Sequence, residues 1–151
     1  MKLYHGSKKL LKALEPKQAQ KGDVDVSEDQ LQHAIYLSPD YGFALAMGAR
    51  PENSVTVTHD GEGERTIDFE KPELFKPDET VYIYSFDSED LDEQNLQFVS
   101  EFEYALVGVE VLPVSEIKET KARELLNFYT LTNWNENAEI KNEVRRPFKI
   151  S

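Results

Sequence analysis

The chain has 151 residues, no cysteine and a formal net charge of -12. The missing thiols exclude disulfides, thiolate catalysis and cysteine-ligated zinc, and the acidity argues against a broad polynucleotide footprint, because phosphate neutralisation supplies most nucleic-acid affinity. No apolar run approaches the roughly 18 residues of a membrane span, and no secretory apolar region follows Met1. The expectation is one soluble, cytoplasmic domain over 1–151, with a core to 130 and a C-terminal tail from 131 to 151.

In chain order, "KLY" is a short strand, and "SKKLLKAL" has the pattern of a brief helical turn capped by Ser7 and stopped by Pro16. "KGDVDVSEDQ" is polar and loop-like. The unit "AIYLSPDYGFALAMGARP" is better defined: an apolar strand runs into a helix with Ser38 as N-cap and Pro39 at its first position. Phe43, Ala44 and Met47 would share one side of it, and Pro51 would end it. "SVTVTHD" alternates as a strand, "GEGE" turns, and "RTIDF" pairs back. "TVYIYSF", β-branched and aromatic, carries the strongest strand signal, and "LQFVS" and "YALVGVEVLPV" are further strands. "SEIKETKARELLNFYTL" has helical spacing, with Ile117, Ala122, Leu125, Leu126 and Tyr129 inward. The order predicts an α+β fold: a mostly antiparallel β-sheet core with flanking helices.

Several kinds of chemistry find no support. There is no Gly-x-Ser-x-Gly elbow, no HExxH, no Walker loop and no Rossmann glycine fingerprint. His5, His33 and His59 lack metal-ligand spacing, so no metal is expected. "DSEDLDEQN" lacks the central glycine and terminal glutamate of an EF-hand loop and reads as a solvated acidic turn.

"LYHGS" at one strand end, "AIYLS" at another and the acid-rich "NLQFVSEFEYALVGVEV" entering a late strand remain. Over about the first three-quarters of the chain this trio resembles the ADP-ribosyltransferase superfamily. The similarity is to the branch whose site is a histidine, a tyrosine and a final acid or glutamine. Poly-ADP-ribose polymerase catalytic domains, rifampin ADP-ribosyltransferases and small tRNA 2'-phosphotransferase-like bacterial domains belong to it. The strand–helix unit also resembles small bacterial members through Ala44, Gly48 and Arg50.

The resemblance implies an ADP-ribosyltransferase-like fold with a split β-sheet, NAD as substrate, and His5, Tyr36 and Glu103 as the catalytic set. Glu103 matches best because it directly precedes "YALV"; Glu101 and Gln97 are the alternatives, and all three would share one face if the strand were continuous. The carboxylate would stabilise an oxocarbenium-like ribose as the nicotinamide bond breaks. His5 would hydrogen-bond a ribose hydroxyl. Gly6, lacking a Cβ, would let its backbone approach the nicotinamide carboxamide, and Tyr36 would pack against the ring. Tyr4, Ser7 and Lys8 would flank them, Ser38 would assist or act as a cap alone, and Tyr41 is the nearest match to a second stacking aromatic.

The charge distribution fits this expectation. From Met1 to Gly22 the bases are Lys2, Lys8, Lys9, Lys12, Lys17 and Lys21 against Glu15, whereas Asp87 to Glu103 holds acids and no base. Lys8, Lys9 or Lys12 with Arg50 would offset the repulsion between an acidic protein and a pyrophosphate. The sequence thus predicts transfer of ADP-ribose to an acceptor it does not specify: a protein, a small molecule or a nucleic acid, in a housekeeping or a toxin-like setting. Two alternatives are a non-catalytic module binding NAD, ADP-ribose or a protein, and a tRNA 2'-phosphotransferase-like enzyme, for which only Arg50 is well placed.

Overall fold

The computed structural model describes residues 1–18, 33–51, 56–61, 64–132 and 134. The expected loop at 21–30, the centre of the "GEGE" turn and nearly all of the tail lie outside them. The described residues form an α+β fold of mostly antiparallel strands with few helices.

The β-rich run "TVYIYSFD" builds the central strand. β7 (Thr80–Asp87) lies between β1 (Lys2–Ser7) and β11 (Glu116–Lys121), antiparallel to both. Its alternation divides the interior. Val81 and Ile83 join a cluster with Leu45, Ala46, Ile67 and Leu125 on one face. Tyr84 and Phe86 join Leu3, Ile35, Leu37 and Leu106 on the other. A second sheet runs β3 (Lys17–Gln18), β4 (His33–Leu37), β9 (Glu103–Leu106) and β8 (Leu96–Ser100). β2 (Ala13–Leu14) pairs with β10 (Leu112–Pro113). The expected hairpin forms as β5 (Thr56–Gly61) and β6 (Glu64–Phe69), and β12 (Thr130–Leu131) adds to β6 in parallel. Ordered structure therefore continues past residue 130: Leu131 is in a strand, and Trp134 packs edge-on against Phe75.

Helix α1 (Tyr41–Ala49) follows β4, as expected, but its start and its buried side differ from the sequence reading. The cap is Asp40, whose carboxylate accepts from Phe43 N–H at 2.9 Å. The Ser38 carbonyl accepts from Tyr4 N–H and its hydroxyl from Asp40 N–H, so neither oxygen serves a backbone N–H of α1. Ala44 is buried with Gly42, Leu45, Ala46, Gly48 and Ala49, whereas Phe43 and Met47 are half-exposed. Two further helical expectations fail. Ser7 belongs to β1, and no helical turn follows it: residues 13–14 pair with β10 instead. The segment 116–121 is an edge strand on β7, followed by a 3-10 turn at Ala122–Asn127. Ala122, Leu125 and Tyr129 do face inward, but Ile117 is exposed. Pairing with a strongly β-forming neighbour outweighs the modest helix propensity of "EIKETK".

Candidate functional site

A backbone bridge joins the two sheets. Tyr4 and Ser38 exchange both backbone hydrogen bonds, at 2.7 and 2.8 Å. Continuing that ladder by two residues would set Gly6 opposite Tyr36, yet no pairing is made there. β1 pairs with β7 along its whole length and β4 pairs with β9, so beyond the bridge a notch in the hydrogen-bond ladder separates β1 from β4. His5 bridges it: its Nδ1 lies 3.0 Å from the Tyr36 carbonyl oxygen.

That contact fixes the imidazole. A carbonyl only accepts, so Nδ1 carries the hydrogen and, in the neutral ring, Nε2 presents a lone pair. Neutrality is favoured, because burial and the positive charge of Lys17 pull the His5 pKa below its ordinary value, against the opposing pull of the Tyr36 carbonyl.

Gly6 is glycine for a reason other than ligand approach. A Cβ there would lie 2.0 Å from the Ala44 carbonyl oxygen, so the missing side chain makes room for α1. Its backbone is nonetheless well directed. Tyr4 spends its N–H and C=O on Ser38 rather than on β7. By strand alternation, Gly6 aims its own N–H and C=O off β7 in the same direction, into the notch.

Tyr36 and Glu103 share a face. Tyr36 pairs with Ala105 and Glu103 lies two residues away on β9. The Tyr36 phenol is accordingly pushed above its ordinary pKa, first by burial and then by the Glu103 charge. Gln97, directly opposite Ala105 on β8, is on the same face. The strand is not continuous, however: a turn at Glu101–Phe102 reverses the chain, and Glu101 sits exposed in it. Of the three alternatives, the turn removes Glu101 from the Tyr36 face and keeps Glu103 and Gln97.

The remaining residues are placed as follows. The Ser38 hydroxyl accepts from Asp40 N–H at 3.0 Å beside the bridge. The Ser7 hydroxyl accepts from Lys9 N–H at 3.0 Å. Lys8 Nζ donates to the Arg50 carbonyl at the C-terminal end of α1 and lies 4.0 Å from Glu79. Lys8 and Arg50 are therefore joined to each other. Tyr41 is turned toward the 3-10 segment: its hydroxyl donates to Glu124 at 2.7 Å and its ring meets Tyr4 and Phe128. Phe43, two residues on and about 200° around the helix, stacks on Phe102 of the β8–β9 turn.

Sequence reasoning did not single out Lys17 as the cation acting on His5, because the β3–β4 pairing that brings it there is long-range. It also missed Phe102, which lies one residue from the chosen acid. An open hollow of about 600 Å³ lies elsewhere, along β11 and the 3-10 turn, lined by Glu119, Lys121, Arg123 and Glu124 among others. It contains none of the expected site residues. Compared with protein families, curated proteins and solved structures, the chain matches none.

Proposed function

We propose that the chain is an NAD-dependent ADP-ribosyltransferase, acting in the notch between β1 and β4. The observation that carries this reading is the His5–Tyr36 contact, which unites two strand ends 31 residues apart in sequence. Its support comes from the chemistry of the surrounding groups. The Gly6 N–H and C=O match the acceptor and donor of a carboxamide, and Tyr36 offers an aromatic wall to the pyridine ring. The His5 Nε2 lone pair accepts from a ribose hydroxyl. The C1'–N bond breaks with its electron pair leaving on nicotinamide, and the Glu103 carboxylate stabilises the cationic ribose. An acceptor nucleophile then bonds to C1', and its proton passes to Glu103.

Incubation of the purified chain with NAD, following free nicotinamide, tests this. Release that falls by about a hundredfold or more in Glu103→Gln and in His5→Ala, both still folded, supports the enzyme. NAD binding without release replaces it by a non-catalytic binding module of the same fold. Neither binding nor release overturns both.

A further inference from the structure

Glu103 stands where the ladder around it is thin. β4 pairs with β9 only as far as Tyr104, and the β8–β9 register shifts between Phe98 and Ser100. Ser100 pairs with Glu103, so Glu101 and Phe102 are the two turn residues. Glu103 is thus one residue beyond its last β4 partner and next to a bulge, where local hydrogen bonds hold the backbone least. Within the turn, Phe102 N–H donates to the Ser100 hydroxyl at 3.1 Å; what ties the turn to the helix is a ring. Phe102 stacks on Phe43 with centroids 5.3 Å apart and an interplanar angle of 19°. Phe43 is itself fixed in the first turn of α1: its N–H is held by Asp40, and Asp40 is paired with Arg65. The chain leading out of Tyr36 and the chain leading into Glu103 are therefore tied together by two aromatic rings.

We propose that the Phe43–Phe102 stack is the positioning device for Glu103, pinning the β8–β9 turn to α1 so that the carboxylate stands on the Tyr36 face. The two rings are positioning residues and carry no chemistry. The catalytic part of this inference rests on the NAD-cleaving reading; the geometric part does not. The Tyr36 phenol senses the Glu103 charge, so its titration reports the carboxylate's placement without any substrate.

The test follows the Tyr36 phenol by NMR in the full chain labelled with 13C-tyrosine, assigned with Tyr36→Phe. Glu103→Gln should lower the titration midpoint. Phe102→Ala should lower it in the same direction, Phe102→Tyr should restore it, and Phe102→Ala should add nothing in the Glu103→Gln background. In NAD cleavage, Phe102→Ala should reduce kcat by roughly tenfold to a hundredfold with KM for NAD changed by less than about twofold. A midpoint unmoved by Phe102→Ala overturns the proposal, as does one lowered equally with Glu103 absent. Should Phe102→Ala lose its folded spectrum, Phe43→Leu removes the other ring and is read in the same way. If the unmodified chain releases no nicotinamide, the NAD-cleaving reading fails and the Tyr36 midpoint alone decides the role of the stack.

Discussion

Gly6 of β1 and Gly48 of α1 meet backbone to backbone. A Cβ on Gly48 would lie 2.7 Å from Val81 Cγ1 and 2.9 Å from the Gly6 carbonyl carbon; one on Gly6 would lie 2.0 Å from the Ala44 oxygen. Backbone cannot swing aside as a side-chain tip can, so Gly6→Ala must push the helix off the sheet. The expected cost is about 3 kcal/mol, the upper range for overpacking. Gly108 gives the contrast. There the φ of 74° strains any side chain, but the nearest atom is 3.7 Å away, so Gly108→Ala should cost only about 1–2 kcal/mol. Urea midpoints of the two variants check the order; equal losses would contradict the steric account.

Asp40, not Ser38, starts α1, and the two can be separated by substitution. Asp40→Ala removes the cap on Phe43 N–H and the partner of Arg65 together. It should cost about 2 kcal/mol, the upper range for a lost cap. Asp40→Asn keeps an accepting oxygen and should lose less than half of that. Ser38→Ala forfeits the two local bonds of a buried hydroxyl, which accepts from Asp40 N–H and donates to the Asp40 carbonyl, and should cost about 1 kcal/mol, less than Asp40→Ala. Thermal melts of the three variants check the ranking.

What the sequence could and could not reveal follows the range of the interactions. "TVYIYSF", "AIYL" and the "RTIDF" hairpin could be read because β-branched composition and alternation are written locally, and all three are strands. The cap went to the wrong residue because Ser38 and Asp40 are both good caps, and the bonds that occupy the Ser38 oxygens, one of them to Tyr4, far away in the chain, remove one. Helical spacing in "SEIKETKARELL" misled because an edge strand facing solvent has no apolar alternation to display, so its pairing with β7 leaves no trace in composition. At the site, His5, Tyr36 and Glu103 could be picked out as types. The Lys17 charge beside His5 and the Phe102 stack depend on strand order and turn geometry, which no spacing encodes.

Tyr84 acts as a clamp on the chain that leaves β1. Its buried hydroxyl accepts from Leu11 N–H and donates to the Lys9 carbonyl, both at 2.7 Å. Tyr84→Phe leaves two backbone groups without that partner, at about 1–3 kcal/mol. The loss should be focused locally, with the Leu11 amide exchanging with solvent faster than amides of β7. Hydrogen-exchange measurements decide; uniform acceleration across β7 would point to general loosening instead.

The His5 contact predicts the sign of a pH dependence. Unfolded histidine titrates near its ordinary value of about 6.5, and burial with the Lys17 charge holds the folded value lower. Between those two values the unfolded chain binds a proton that the folded chain refuses, so stability rises with pH there. The contribution is fully present above about 6.5 and is lost as pH falls through the folded value. His5→Asn, whose amide N–H can still reach the Tyr36 carbonyl but does not titrate, should flatten this part of the profile. Lys17→Ala removes the repelling charge, so it should raise the His5 midpoint and narrow the window without abolishing it, since burial is the larger cause. Imidazole titration by NMR and urea midpoints across the same pH range measure both. A His5 midpoint above 6.5, or stability rising on acidification through this range, would mean that the ring gains a carboxylate partner rather than the carbonyl.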